Sequence, residues 1–359
     1  MKTAVIGYQV SGTDPFTVGG YCAATLAVEE ANDRGDLPVV VALEPIVDGK
    51  NADVARAAAA AFCAREDTVA VVGPGNSAMA VITQAIFREA GLLQLSSEAS
   101  SPLLTADGHP NFFRTVANDE VQGRALGRVA ASYLGAKRIA VLNEDSAWGG
   151  PIARIFSEEA ARLGSPPVLQ HEYSASSAYL DFDALVEATL ACEPDLVYFA
   201  IYWNQSHIIA HRLRDRGLKA VFLGSDALKP YAFLEVPCLD TEAPYHSLAG
   251  IDMRIKPSAK PFLVAFADRF PEMLGAPQYA PEAYDCANLI LESMRLSQST
   301  DRTAILDAMH SIDVWPGSIG PVSFDKHGDL MNPDIGLYRC RDGQREFVGL
   351  VDDLLSQSS

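Results

Sequence analysis

The chain has 359 residues, 48% hydrophobic and 21% charged, a globular composition longer than one ordinary core and suited to two α/β lobes. Its formal net charge is −18, and Lys and Arg form no cluster, which argues against a nucleic-acid partner and for a soluble monomer. No apolar run approaches the roughly 18 residues of a membrane-spanning helix.

The first element, Thr3–Gly7, is a short apolar run read as a buried strand. No charged n-region, apolar h-region or cleavage site precedes it, so an export signal is expected to be absent from this sequence. Val18, Cys22 and Leu26 recur at helical spacing in a stripe that stops near Gly35. Val39–Leu43 is β-branched and apolar, a second strand, and the Ala-rich Ala52–Ala64 predicts a helix. Val69–Gly73 (strand), Ser77–Ala90 (helix) and Leu92–Leu95 (strand) continue the alternation. This order predicts a parallel sheet with helices on both faces.

The pattern then repeats. Gln122–Leu134, Ile152–Leu163, Phe182–Ala191 and Gln205–Arg216 read as helices; Arg138–Leu142, Val168–Tyr173, Leu196–Ala200 and Ala220–Gly224 read as strands. A second parallel lobe therefore spans about 120–249. Three helices follow, Ser258–Phe270, Pro281–Leu296 and Thr303–His310. Last come strands Val322–Phe324 and Ile335–Tyr338, with turn chemistry at Asp325–Gly328. Periodicity does not assign the helical block to either lobe.

Parallel sheets bind ligands beyond the carboxyl ends of their strands. After the third strand comes Pro74-Gly75-Asn76-Ser77, where a helix start offers free N–H groups to an anion. After the fourth comes a hydroxyl-rich loop, Ser96-Ser97-Glu98-Ala99-Ser100-Ser101. Asp226 follows the strand ending at Gly224, and Trp148 and Tyr202-Trp203 follow two others. Ordinary helix capping and core packing account for each of these taken alone. Taken together they suit a zwitterion, with hydroxyls and N–H groups for a carboxylate and Asp226 for an ammonium.

Competing motifs are weaker. Gly73-Pro74-Gly75-Asn76-Ser77-Ala78 matches a dinucleotide fingerprint and supports an NAD-dependent oxidoreductase as an alternative, but it follows the third strand, not the first. His207 and His211 have metal-ligand spacing without the Glu of a metalloprotease, and no metal or other cofactor is expected. No nucleophile elbow is present, and Asp181 and Asp183 read as a helix start, so no enzyme activity is expected. The six cysteines form no C-x-x-C and are read mainly as buried thiols, with one disulfide left open.

Gly73–Ser77, Ser96–Thr105, Phe112-Phe113-Arg114-Thr115, Asp119–Gly123, Ile139–Gly149, Tyr179–Phe182, Phe222–Asp226 and Ile319–Leu330 carry, in this order, a resemblance to the branched-chain amino-acid-binding proteins of ABC transporters. The resemblance implies the type I periplasmic binding fold, two doubly wound parallel-sheet lobes joined by a three-segment hinge. The lobes would be 1–119 with 250–325, and 120–249 with 326–359. It implies an extracytoplasmic, periplasmic location, an amino-acid-like ligand enclosed by hinge closure, and a membrane permease as partner. A cytoplasmic ligand-sensing regulator on the same fold is the alternative. By this resemblance Ser77 holds the ligand carboxylate, Glu98 or Ala99 contributes backbone groups, and Ser100 contributes a hydroxyl. Asp226 pairs the ammonium, and Trp148 and Tyr202 form an aromatic wall. The first loop, Tyr8 to Val18, has no clear aromatic match to the family, and Tyr8 and Phe16 are the candidate ligand-binding substitutes there. Glu98 replaces the family's usual Gly, and Asp226 is shorter than the Glu of some members.

Overall fold

The computed structural model describes residues 3–174, 182–228, 243–273, 275, 277–341 and 343–357. The Tyr179–Asp181 part of the family-like motif and Cys238 lie outside these. In chain order the first elements are β1 (Thr3–Val10), α1 (Pro15–Arg34), β2 (Val40–Val47), α2 (Ala52–Cys63), β3 (Thr68–Val72), α3 (Ser77–Glu89), β4 (Leu93–Ser96) and β5 (Phe112–Arg114). Next come α4 (Asp119–Arg128), β6 (Ile139–Glu144), α5 (Gly149–Arg162), β7 (Leu169–Tyr173), α6 (Phe182–Ala191), β8 (Leu196–Ala200), α7 (Trp203–Asp215), β9 (Val221–Gly224) and β10 (Tyr245–Ser247). The last are α8 (Lys260–Arg269), α9 (Ala280–Ser297), α10 (Arg302–His310), β11 (Trp315–Gly317), β12 (Gly320–Val322), β13 (Gly336–Arg341), β14 (Gln344–Leu350) and α11 (Val351–Ser356).

Local chemistry starts the helices. Asp14, Asn51, Asn76 and Asp301 accept first-turn N–H groups at the N-caps of α1, α2, α3 and α10. Pro15 opens α1, and Gly35 closes it in the left-handed region at φ 68°.

The chain divides into two compact units, Met1–Val116 with Asp252–Asn332, and Ala117–Ile251 with Pro333–Ser359. The crossings thus fall at 116/117, 251/252 and 332/333, where the sequence suggested 119/120, 249/250 and 325/326. Residues Lys326–Asn332 stay with the first unit for a physical reason. Gly328 accepts the amide of Arg114 at 3.0 Å, and Asp329 pairs with its side chain.

Unit 1 holds a five-stranded sheet in the order β2-β1-β3-β4-β5, parallel throughout. Val5, Ile46, Phe62, Val71, Phe87 and Leu92 form a core between this sheet and α2–α3. The helical block α8–α10 belongs to this unit, with α9 packed on α1. Unit 2 holds a seven-stranded sheet in the order β14-β13-β10-β9-β8-β6-β7. Its β7-to-β10 part is parallel, but β13 runs antiparallel to both β10 and β14, an edge the parallel reading did not foresee. Leu142, Val197, Phe199, Ile209, Leu213 and Phe222 lie in its core.

Some expected elements shift. The strand placed at Val322–Phe324 is the β11–β12 hairpin ending at Val322, with Phe324 bridging Leu330. The helix expected over Gln122–Leu134 begins earlier, at Asp119, because Asn118 caps it, and it widens into a π-type turn at Val129–Tyr133. In each sheet the strand order reverses beside its first strand, between β1 and β3 and between β6 and β8. Those are the positions where open α/β sheets leave a crevice beyond the strand ends.

Candidate functional site

In unit 1 the strand register brings Tyr8 opposite Val72, Val72 opposite Leu95, and Ser96 opposite Arg114, so the loops after β3 and β4 leave the sheet side by side. Hydrogen bonds stitch them together. Ser96 Oγ donates to the Pro74 carbonyl at 3.0 Å and accepts the Ala99 amide at 3.0 Å. Ser77 is buried on the first turn of α3, and its Oγ accepts the Ser101 amide at 3.3 Å. Accepting there leaves the Ser77 proton to be donated elsewhere. Ala99 and Ser100 are buried in the same loop.

Arg114 sets the shape of that loop. It is fully buried, donates through Nη1 to the carbonyls of Ala99 and Ser101 at 3.0 Å each, and through Nη2 to Thr105 Oγ1 at 2.7 Å. Its Nε meets Asp329 Oδ1 at 2.5 Å. A guanidinium presents its donors in a rigid fork, so one side chain fixes three points of the loop at once.

Glu98 is half-buried, and its carboxylate lies over Gly75: a Cβ at Gly75 would come within 2.8 Å of Glu98 Cδ and 2.9 Å of both oxygens. Only a residue without a side chain allows that approach.

Tyr8 is buried, with its ring edge-to-face on Tyr21 of α1 at 5.5 Å, and its hydroxyl is pushed well above the usual range, first by burial and then by the Glu98 charge. Phe16 is buried in the first turn of α1. Both aromatics are buried within unit 1.

Several polar groups at this sheet edge escaped the sequence reading. Asp48, fully buried after β2, accepts from Gln9 Nε2 at 3.0 Å and Ser11 Oγ at 2.7 Å. Asp285 on α9 accepts the amides of Ser318 and Ile319 at 2.9 Å each, and burial raises it to about 6. Glu282, one turn earlier, is raised to about 8 by burial. No local motif marks these residues, because their partners lie dozens of positions away in sequence.

In unit 2 the register aligns Asn143 with Ala200 and Phe199 with Gly224. Three of the expected residues stand beyond these ends. Trp148 is buried just before α5, where Ser146 Oγ accepts the Gly149 amide at 2.9 Å. Its ring lies against Tyr202, which precedes α7, with centroids 4.9 Å apart at 33°. Asp226 begins a short helical turn after β9 and is 9% exposed. Beneath them Tyr198 stacks on Phe156 at 3.8 Å. Its hydroxyl is pushed far up by burial and then by the charges of Asp119 and Asp226. Glu144 is also raised, mainly by burial.

Unit 1 thus gathers Ser77, Glu98, Ala99 and Ser100, and unit 2 gathers Trp148, Tyr202 and Asp226, each set at the carboxyl ends of its own sheet. His207 and His211 stack edge-to-face at 4.5 Å on α7. Among the described residues no group of three or more His, Cys, Asp or Glu is placed to hold a metal ion. The five described cysteines are free thiols.

A family model described as periplasmic binding protein matches residues 3–345. A Brucella melitensis protein named Leu/Ile/Val-binding protein homolog 3 is 26% identical over 281 residues, covering 78% of this chain and 74% of that protein. The crystal structure of a leucine binding protein from Thermotoga maritima superposes with a TM-score of 0.83 at 20% identity, over 98% of this chain and 99% of that one. A periplasmic binding protein type 1 from Bordetella pertussis gives a TM-score of 0.83 at 18% identity, over 96% of this chain and 99% of that one. The fold is the type I periplasmic binding fold, and the chain belongs to the periplasmic binding protein family.

Proposed function

We infer that this chain is the extracytoplasmic solute-binding component of an ABC importer, taking an amino acid or amino-acid-like small molecule and delivering it to a membrane permease. The observation that carries this reading is the pair of strand-end clusters. One is rich in hydroxyl and amide donors at Ser77 and Ser100; the other places Asp226 and the aromatic pair Trp148 and Tyr202 after the neighbouring strands β9, β6 and β8. The names of the relatives, which include a Leu/Ile/Val-binding protein, support the same class of ligand.

In this reading both lobes engage one ligand and close on it by bending at the crossings. Ser77 and Ser100 hold its carboxylate with the backbone of Glu98 and Ala99, and Asp226 pairs its ammonium. Closure takes these charges out of water, so a ligand without an ammonium forgoes the pairing with Asp226 and binds poorly. No catalytic step is assigned to any residue.

The expected result for Ser77→Ala and for Asp226→Ala is a loss of about 1–3 kcal/mol in binding, the worth of a charge-assisted hydrogen bond. Titration calorimetry reads this with whichever natural amino acid gives the largest thermal shift on the unaltered protein. Unchanged affinity in both variants contradicts the assignment of the site.

A further inference from the structure

We propose that the segment opening α9 selects the side chain of the ligand, with Gln278 and Glu282 as the residues that bind it, so that the ligand is an amino acid carrying a neutral carboxamide. This rests on the reading above that the strand-end cluster of unit 1 belongs to a ligand site.

Hydrogen bonds place this segment at that cluster. The Thr115 amide donates to the Ser96 carbonyl at 3.0 Å, where the Ser96–Ser101 loop begins. The Thr115 hydroxyl donates to the Glu282 carbonyl at 3.1 Å. One residue thus ties the carboxyl end of β4 to the first turn of α9. On its other side the chain reaches α9 over α1. Pro277 lies so close to Gly19 that a Cβ there would come within 2.5 Å of its ring, one turn beyond Phe16.

Two side chains in this segment carry buried polar atoms with nothing to bond. Nε2 and Oε1 of Gln278 are both buried, and neither has a hydrogen-bond partner among the described residues. Glu282 is 6% exposed, and its Oε2 has none among them either. An amide buried with both ends unanswered is costly and demands a partner. Between the two stands Tyr279, the N-cap of α9, with φ at +70°. Backbone strain of this kind in a non-Gly residue gathers at ligand clamps and active sites.

The chemistry of the two groups names the partner. Gln278 offers an acceptor oxygen and a donor nitrogen side by side. Burial raises Glu282 to about 8, so near pH 7 it is mostly protonated and also offers a donor and an acceptor. A carboxamide answers such a pair at both ends. A carboxylate only accepts, an ammonium only donates and an aliphatic side chain does neither, so each leaves a buried polar atom unanswered.

The test is calorimetric titration with L-glutamine, L-asparagine and L-leucine. At least one of the two amides is expected to bind about tenfold or more tightly than L-leucine. Gln278→Met keeps the side-chain length and removes both polar atoms, and it is expected to reduce that ratio about tenfold. Glu282→Gln stays neutral with a donor and an acceptor, and it is expected to retain most of the ratio. Melting curves of both variants check that they fold, and the comparison of ligands on the unaltered protein needs neither. Any outcome in which neither amide outbinds L-leucine, or in which Gln278→Met leaves the ratio unchanged, overturns the proposal. If L-leucine binds well in that case, only this inference falls. If no amino acid binds at all, the functional reading beneath it falls too.

Discussion

Replacing Arg114 with Ala is expected to destabilise unit 1 by about 3–5 kcal/mol, the cost of removing one partner from a buried ion pair. The arginine is fully buried, and its removal takes a donor from Asp329, Thr105 and the carbonyls of Ala99 and Ser101 together. The same loop carries Glu98 and Ser100, so the proposed function predicts weaker ligand binding as well. Trp315 lies in unit 1, whereas Trp148 and Trp203 lie in unit 2. Urea unfolding followed by Trp315 fluorescence, with the other two tryptophans changed to Phe, reports on unit 1 alone. A loss below about 1 kcal/mol contradicts the assigned role of Arg114.

The second large effect is expected at Gly328, which sits beside the edge strand β5 with φ at +88°. A Cβ there would lie 2.0 Å from the Phe112 carbonyl oxygen and 3.0 Å from its carbon. Both obstacles are backbone, so no rotamer change relieves them. The left-handed conformation costs a non-Gly residue about 1–2 kcal/mol. The forced separation from β5 adds about 1–3 kcal/mol. Gly328→Ala should therefore lose about 2–5 kcal/mol in the same Trp315 assay. It should also weaken the hydrogen bond from the Arg114 amide to the Gly328 carbonyl, seen as faster amide exchange at Arg114. An unfolding midpoint equal to that of the unaltered protein contradicts this packing.

Much of the fold is legible because buried parallel strands leave continuous apolar runs, as in Val69–Gly73 and Leu196–Ala200. The strands that escaped notice lack that signal for identifiable reasons. β5 and β10 are three residues each, too short to show a period. β11 contains a proline, and β14 is largely solvent-facing along its length. The candidate site was legible only where chemistry follows a strand directly, as for Ser77 and Asp226. The residues that hold it in shape were not. Arg114 and Asp329 are 215 positions apart, and Glu282 reaches Glu98 only through the packing of α9. Tyr8 and Phe16 differ from their expected setting only in place: the sequence put them in a loop, whereas Tyr8 lies on β1 and Phe16 on the first turn of α1.

The most direct test of ligand binding is a thermal-shift screen of the unaltered protein against the natural amino acids, aromatic acids, small amides and NAD. A ligand at 100 times its Kd stabilises the folded state by about 2.7 kcal/mol. For units of this size that raises Tm by roughly 5–10 °C. The account predicts such a shift with one or more amino acids and none with NAD. A shift with NAD and none with any amino acid would contradict it.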